Sequence, residues 1–359
     1  MIFEKILVSV GWALPTKIMI LRIFQKSNIS PIEFKICMKS PPLVSIVIPC
    51  YNAEYFLNET LESVFSQTWQ NFEVIVIDDG SSDSTASVIR SFGSRIKAEF
   101  CSNHGVSAAR NRGTELARGE FIQYLDADDL LTPDALEKRV KALVNSNADV
   151  AYSDWQKLEE GEEKNFYLGK IIARRIEDVH DDLQIALFTD FWAPPAALLY
   201  HRRTVEAIGF WNESLPIIQD ARFLLDAALV GAKFIHVPGV QANYRVHKTA
   251  ISLSCCNSAS FVQDCFQNAC QVEKIWKANG GINSKQLVAL ENVYGQIARF
   301  FFEHDRLKFY EVLAKIHNIN PNYLPAGSKA LRYLAKWFGY EQAEAIALAY
   351  RQAKRILVK

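Results

Sequence analysis

The 359-residue chain reads as an α/β protein: a Rossmann-like, mostly parallel mixed sheet with flanking helices, followed by a C-terminal helical region. Two observations carry this. From residue 44 to residue 250 short apolar runs alternate with amphipathic helical patterns, as strands joined by crossover helices do. Three of those runs stop at polar or acidic clusters: Tyr51-Asn52, Asp78-Asp79-Gly80-Ser81 and Asp126-Ala127-Asp128. In a parallel sheet such strand ends share one edge, the edge at which ligands bind.

Taken in order, residues 6–23 are apolar but interrupted by Pro15, Lys17 and Arg22. A spanning helix needs about 20 predominantly apolar residues, and no small-x-small cleavage site follows. An interfacial helix or an unstructured extension is therefore expected over residues 1–40, rather than a span or a leader. Residues 44–48 form the first strand, and Leu57, Leu61, Val64 and Phe65 mark one face of the next helix. Residues 74–77 are the second strand, followed by a helix carrying Val88 and Ile89. A weaker strand lies at 97–100, and 105–117 is helical, with Arg110 and Asn111 on it. Residues 121–125 and 150–152 are further strands.

Beyond Trp155 the pattern loosens, and the charged stretch 156–182 is expected to form a lobe or flexible loop. Residues 196–200 read as a strand and 204–208 as a short helix. Residues 220–230 form a helix with Phe223, Leu224, Ala227 and Ala228 as its apolar face. Residues 233–237 are a strand closed by Pro238-Gly239. From Ser258 onward the reading is helical, and Ile346, Ala349, Tyr350, Ala353 and Leu357 lie along one stripe. Three regions result: an extension over 1–40, a main domain over 41–250 and a helical region over 251–359.

The formal net charge is zero, which gives no general case for nucleic acid as a partner. The charge is uneven, however: residues 1–40 carry +4 and residues 327–359 carry +5, leaving −9 between them. Basic, apolar-rich ends suggest an anionic surface, such as a membrane, as a peripheral contact. The seven cysteines show neither a C-x-x-C pair nor a zinc-like spacing, which points to reduced thiols in a cytoplasmic protein.

The cluster Asp126-Ala127-Asp128-Asp129 puts three carboxylates within four residues at a strand end. They repel one another unless something positive joins them. A hard divalent cation, held by one or two carboxylates plus substrate phosphates, is the usual answer. The plainer alternative is a loop of helix-capping acids, with Asp134 capping the next helix. Asp78 is expected to brace its turn through backbone amides, and Asn111 to tie down a turn. Asp220 is open between a helix cap and a chemical role. Phe191 and Trp192 are open between core aromatics and a stacking surface for sugar.

The set of motifs resembles family 2 glycosyltransferases with a GT-A fold. The matching residues are Val47-Ile48-Pro49-Cys50-Tyr51-Asn52, then Val76 through Thr85, Asn103-His104-Gly105 with Ala109 through Gly113, and Gly119 through Asp129. Gln219-Asp220 stands where the family has Glu-Asp before a helix, and Pro238-Gly239-Val240 with Tyr244-Arg245-Val246-His247 matches the family's domain end. The resemblance covers residues 42–250 and is silent on both ends. It implies an inverting, metal-dependent transfer of one sugar from a nucleotide-diphosphate donor, UDP-linked, to a glycan or lipid-linked acceptor. By position, Asp79 would accept hydrogen bonds from the nucleotide base. Pro49, Tyr51, Asn52 and Glu54 would line the nucleotide pocket, Asp126 would sit near the ribose, and Arg110 would contact phosphate or face solvent. Asp128 would hold Mg²⁺ or Mn²⁺ with help from His247, and Asp220 would be the general base. Gln219 departs from the family's Glu, removing a charge beside that base. Gln219-x-x-Arg222-Phe223 superficially resembles the signature of processive synthases, but those carry spanning helices, so a non-processive enzyme is expected.

Two rivals are weaker. A sugar nucleotidyltransferase would want a Gly-rich phosphate loop at the first strand, and Pro49-Cys50-Tyr51-Asn52 offers none. A silent sugar-nucleotide-binding protein would have no need for Asp79, Asp128 and Asp220 together. A dehydrogenase is not expected, because no G-x-G-x-x-G follows a strand.

Overall fold

The computed structural model describes residues 41–162, 165–248, 258–326 and 328–357, so the expected interfacial helix lies outside the described residues. A nine-stranded sheet runs in the order β3-β2-β1-β4-β8-β6-β9-β5, with β7 beside β6. Its first half is parallel. β1 (Val44–Cys50) pairs with β2 (Phe72–Asp79) on one side and β4 (Phe121–Tyr124) on the other, and β3 (Lys97–Cys101) extends β2. Every residue of β1 is buried, as expected of a central parallel strand covered on both faces. The register sets Cys50 opposite Asp78 and Val47 opposite Tyr124. Tyr51-Asn52, Asp79-Gly80 and Asp126-Asp128 therefore leave the sheet at one edge.

Three crossover helices frame this half: α1 (Leu57–Phe65), α2 (Thr85–Ser91) and α3 (Val106–Leu116). α1 buries Leu57, Thr60, Leu61 and Val64, the apolar members contributing roughly 1.5–3 kcal/mol each. α3 lies directly on β1 because Gly113 has no side chain: an added Cβ would stand 2.3 Å from Val47 Cγ1.

The parallel arrangement applies to β1–β4. Beyond them β8 (Leu198–His201) runs antiparallel to both β4 and β6 (Val150–Glu160), and β9 (Phe234–Val246) runs parallel to β6. The two-residue β5 (Leu130–Leu131) pairs antiparallel with β9. The first part of the stretch expected as a lobe or loop is instead a hairpin: β6 runs on to Glu160, and β7 (Phe166–Ile172) returns antiparallel along it. Its charged residues misled because the hairpin is exposed on one side. β9 likewise does not stop at Pro238-Gly239. It passes through a register shift there, with Gly239 at φ +96° donating its N–H to Asp154 Oδ2 at 2.7 Å.

Four more helices sit around the sheet: α4 (Ala135–Val144), α5 (Leu183–Thr189), α6 (Arg202–Ile208) and α7 (Gln219–Leu229). The tail comprises α8 (Ser258–Ala278), α9 (Ser284–His304), α10 (Arg306–Ile319), α11 (Lys329–Phe338) and α12 (Tyr340–Leu357). Residues 41–250 and the tail differ in composition but share a core: Phe266, Val272, Trp276 and Tyr294 belong to the same buried cluster as β1.

Candidate active site

The β1 and β2 ends are laced together. Asn52 adopts φ +49°, a left-handed conformation that its short polar side chain tolerates. Its backbone N–H donates to Ser81 Oγ at 2.9 Å, and its Oδ1 accepts from Ser82 N–H at 2.8 Å. Glu54 Oε2 accepts from Ser84 N–H at 2.8 Å, and Asp83 Oδ2 accepts from Glu54 N–H at 3.2 Å. Asp78 Oδ1 accepts from Ser81 N–H at 3.0 Å, the turn-bracing role expected of it. Pro49 is buried inside β1, one residue from its end, whereas the Tyr51 side chain stands 55% exposed. Asn52 and Glu54 thus shape the loop, and Tyr51 presents the open aromatic surface.

Asp79 is 5% exposed. Its two oxygens accept the backbone N–H groups of His104 and Gly105, each at 2.8 Å, so it fastens the β3–α3 loop to the end of β2. A carboxylate has about four acceptor positions, and two are filled here.

The Asp126–Asp129 cluster is divided by burial. The side chains of Asp126 and Asp128 are 29% and 35% exposed. Asp129 is buried and accepts Arg245 N–H at 2.9 Å through Oδ1, while Oδ2 has no partner. Burial, reinforced by Asp128 and Asp126, pushes the Asp129 carboxyl well above the usual range. Arg110 is 1% exposed, with Nη2 bonded to Asp126 Oδ1 at 2.5 Å and its guanidinium 4.3 Å from the Trp211 ring centre. It is thus buried against Asp126 and Trp211 and does not face open solvent. His247 Nε2 stands 2.9 Å from Asp128 Oδ2, its ring between Phe56 and Phe166. Arg245 donates from Nε to the Asp128 carbonyl at 2.7 Å and from Nη2 to Glu59 at 2.8 Å. Asn111 ties the 211–213 loop: its Oδ1 accepts from Trp211 N–H at 2.6 Å, and its Nδ2 donates to Glu213 Oε1 at 2.9 Å.

Asp220 is the second residue of α7, inside its first turn, while Ile218 occupies the cap position without a side-chain bond. Its carboxylate does not cap the helix. Oδ1 accepts the N–H of the adjacent Ala221 at 2.7 Å, and Oδ2 accepts the indole N–H of Trp192 at 2.8 Å. Burial raises the Asp220 carboxyl above the ordinary range, and the Arg110 charge pulls it partly back. Around the Tyr244 phenol, whose ionisation is pushed up first by burial, the charges of Asp129, Asp126, Asp220 and Asp128 all act. Residues distant in sequence thus converge on one place.

α8 braces this place from outside the sheet. Asp264 Oδ2 accepts Ile217 N–H at 2.8 Å, just ahead of α7. Arg222 on α7 donates to Gln271 and, at 3.2 Å, to Asn268. The sequence carried no signal for these bonds, nor for the Trp192–Asp220 pair or the reach of Arg245 to Asp128, because each joins segments that only the fold brings near.

The profile of the family described as Glycosyl transferase family 2 matches residues 45–195. Residues 45–195 thus match a family 2 glycosyltransferase domain. An uncharacterised glycosyltransferase of Haemophilus influenzae is 39% identical over 118 residues, covering 32% of this chain and 47% of that protein. Glycosyltransferase GlyA of Streptococcus pneumoniae is 32% identical over 145 residues, covering 40% of this chain and 21% of GlyA. The glycosyltransferase domain thus spans less than two thirds of these relatives. S. aureus TarS residues 1–349, in complex with UDP-GlcNAc, superimposes with a TM-score of 0.64 at 17% identity, covering 86% of this chain and 92% of that one. That likeness establishes a GT-A fold with a helical region following the sheet.

Among the described residues no group of three or more His, Cys, Asp or Glu side chains forms a complete metal cage. Asp128 with His247 offers a carboxylate and an imidazole 2.9 Å apart at the end of the parallel strands. Such a partial set fits a divalent ion that draws its other ligands from a diphosphate, and the Asp128 carboxylate suits Mg²⁺ or Mn²⁺.

Proposed function

We propose that the chain transfers a single sugar, with inversion, from a UDP-linked donor to a hydroxyl of a glycan or lipid-linked acceptor at the cytoplasmic face of a membrane. The observation that carries this is Asp220: a half-buried carboxylate with raised proton affinity, oriented by Trp192 and near Arg110 and Asp126. An acceptor hydroxyl is a poor nucleophile at neutral pH, and a carboxylate of raised pKa is better matched to take its proton. One such base, opposite the leaving group, gives a single displacement. The UDP-GlcNAc named with TarS supports a uridine donor.

Asp79 holds the 103–105 loop in place as the floor for a base, and Tyr51 offers a ring to it. Asp126, fixed by Arg110, faces the ribose side. Asp128 and His247 would hold Mg²⁺ or Mn²⁺. Such an ion, when bound, supplies Lewis-acid stabilisation of charge on the departing diphosphate. Arg245 keeps the Asp128 backbone from shifting.

The test is Asp220→Asn. Calorimetric donor titration is expected to give near-normal affinity, while transfer falls about 10²–10⁴-fold. Transfer at the wild-type rate would remove Asp220 as the base, and loss of donor binding with it would assign the residue a structural role.

A further inference from the structure

The apolar stripe on α12 does not face the protein. Ile346, Ala349, Tyr350 and Ala353 are all exposed, and the buried face is instead Ala343 and Glu344. α11 and α12 pack on one another through Leu331, Ala335 and Ala343. This small contact uses only part of the apolar face of α11. Tyr333, Trp337 and Phe338 remain 66%, 76% and 62% exposed. Tyr333 and Trp337 are four residues apart, so they stand together on the helix. Lys329, Arg332 and Lys336 form an exposed basic row beside them.

The charge of this pair of helices is not balanced at its surface. Glu344 is fully buried, with Arg351 at 2.9 Å and Arg299 at 3.3 Å. Glu341 accepts the Tyr310 hydroxyl at 2.6 Å. The two acids of residues 327–359 are thus engaged within the fold, while the segment carries +5 overall. Trp and Tyr rings beside a row of Lys and Arg suit the water–hydrocarbon boundary of a bilayer, where the rings take the apolar side and the cations meet lipid phosphates. No helix among the described residues is long and apolar enough to cross a membrane.

We propose that the α11–α12 face seats the protein on an anionic phospholipid surface, through Tyr333, Trp337 and Tyr350 with Lys329, Arg332 and Lys336. The charge favours this occupant over a second copy of the chain, whose matching face would be equally basic. It deepens the reading of a lipid-linked acceptor, and rests on that reading for its purpose only.

The experiment is co-sedimentation of the full chain with vesicles of phosphatidylcholine alone and of phosphatidylcholine mixed with phosphatidylglycerol. Binding is expected to the mixed vesicles and to weaken as salt screens the charge. Lys329→Gln with Lys336→Gln should weaken it about fivefold per charge removed. Tyr333→Ser with Trp337→Ser should weaken it about tenfold or more; both changes are at exposed positions, and thermal melting checks that folding is kept. Equal binding to the two vesicle types, or wild-type binding by both variants, would overturn the proposal. So would a wild-type dimer that Tyr333→Ser with Trp337→Ser converts to monomer, which would assign the face to a second copy. UDP release, measured on the same preparations, reports separately on the transferase reading: its absence would defeat that reading and leave the vesicle result standing.

Discussion

The indole N–H of Trp192 donates to Asp220 Oδ2 at 2.8 Å across 28 residues of sequence. A hydrogen bond to the ionised form of a buried carboxylate lowers its proton affinity. Here it acts with Arg110 against a desolvation that pushes the other way. The Asp220 carboxyl is therefore poised by opposing effects, and removing either restraint has a signed consequence.

Trp192→Phe removes the donor and keeps an aromatic ring. The Asp220 carboxyl should then stay protonated to higher pH. Base catalysis needs the deprotonated form, so activity is lost as pH falls through this pKa. The acid limb of the kcat/KM profile is expected to move to higher pH, with activity recovering at alkaline pH. A pH–rate series on both proteins checks it, and an unmoved limb would mean that this bond does not tune the base.

Arg110→Met leaves Asp126 without its buried partner and takes a positive charge from beside Asp220. Breaking such a pair costs about 3 kcal/mol, read as a lower denaturant midpoint. The loss should shrink in the double variant with Asp126→Asn, since the uncompensated carboxylate is then gone.

Asp128→Asn keeps the shape of the side chain and removes its charge. Turnover is expected to collapse, and donor binding should no longer respond to Mn²⁺ or Mg²⁺. Full activity of this variant in chelator-treated buffer would rule out the metal assignment.

Gly80 sits at φ +79°, and a Cβ there would stand 2.8 Å from the backbone nitrogen of Asn103. Gly80→Ala should therefore destabilise the fold by about 1–3 kcal/mol. It should also push away the 103–105 loop that Asp79 holds, so donor affinity should fall along with stability. Calorimetry and thermal melting on one preparation report both.

The parallel half of the sheet was legible because each strand is a short apolar run ending in polar residues at the same edge. Asp126 and Asp128 were legible as a pair for that reason. The hairpin of β6 and β7 was not, since its half-exposed strands carry Lys and Glu and resemble a loop. The stripe on α12 had a visible period, but periodicity tells which residues share a face and not whether that face meets protein. The setting of Asp220 depends on Trp192, Arg110 and α8, none of them near it in sequence. Asp220 lies inside the first turn of α7, two residues beyond the cap position at Ile218.

The bond from Asp264 to the backbone of Ile217, with those from Arg222 to Asn268 and Gln271, bears on what can be exchanged between proteins of this kind. The family profile ends at residue 195, before Asp220 and well before its brace. A recombination joint at residue 250 would part Ile217 and Arg222 from their partners on α8, whereas one at the profile boundary would keep those bonds and part Asp220 from Trp192. Sequence drift in α8 is accordingly coupled to α7, and substitutions at 264, 268 and 271 are expected to travel with changes around 217 and 222.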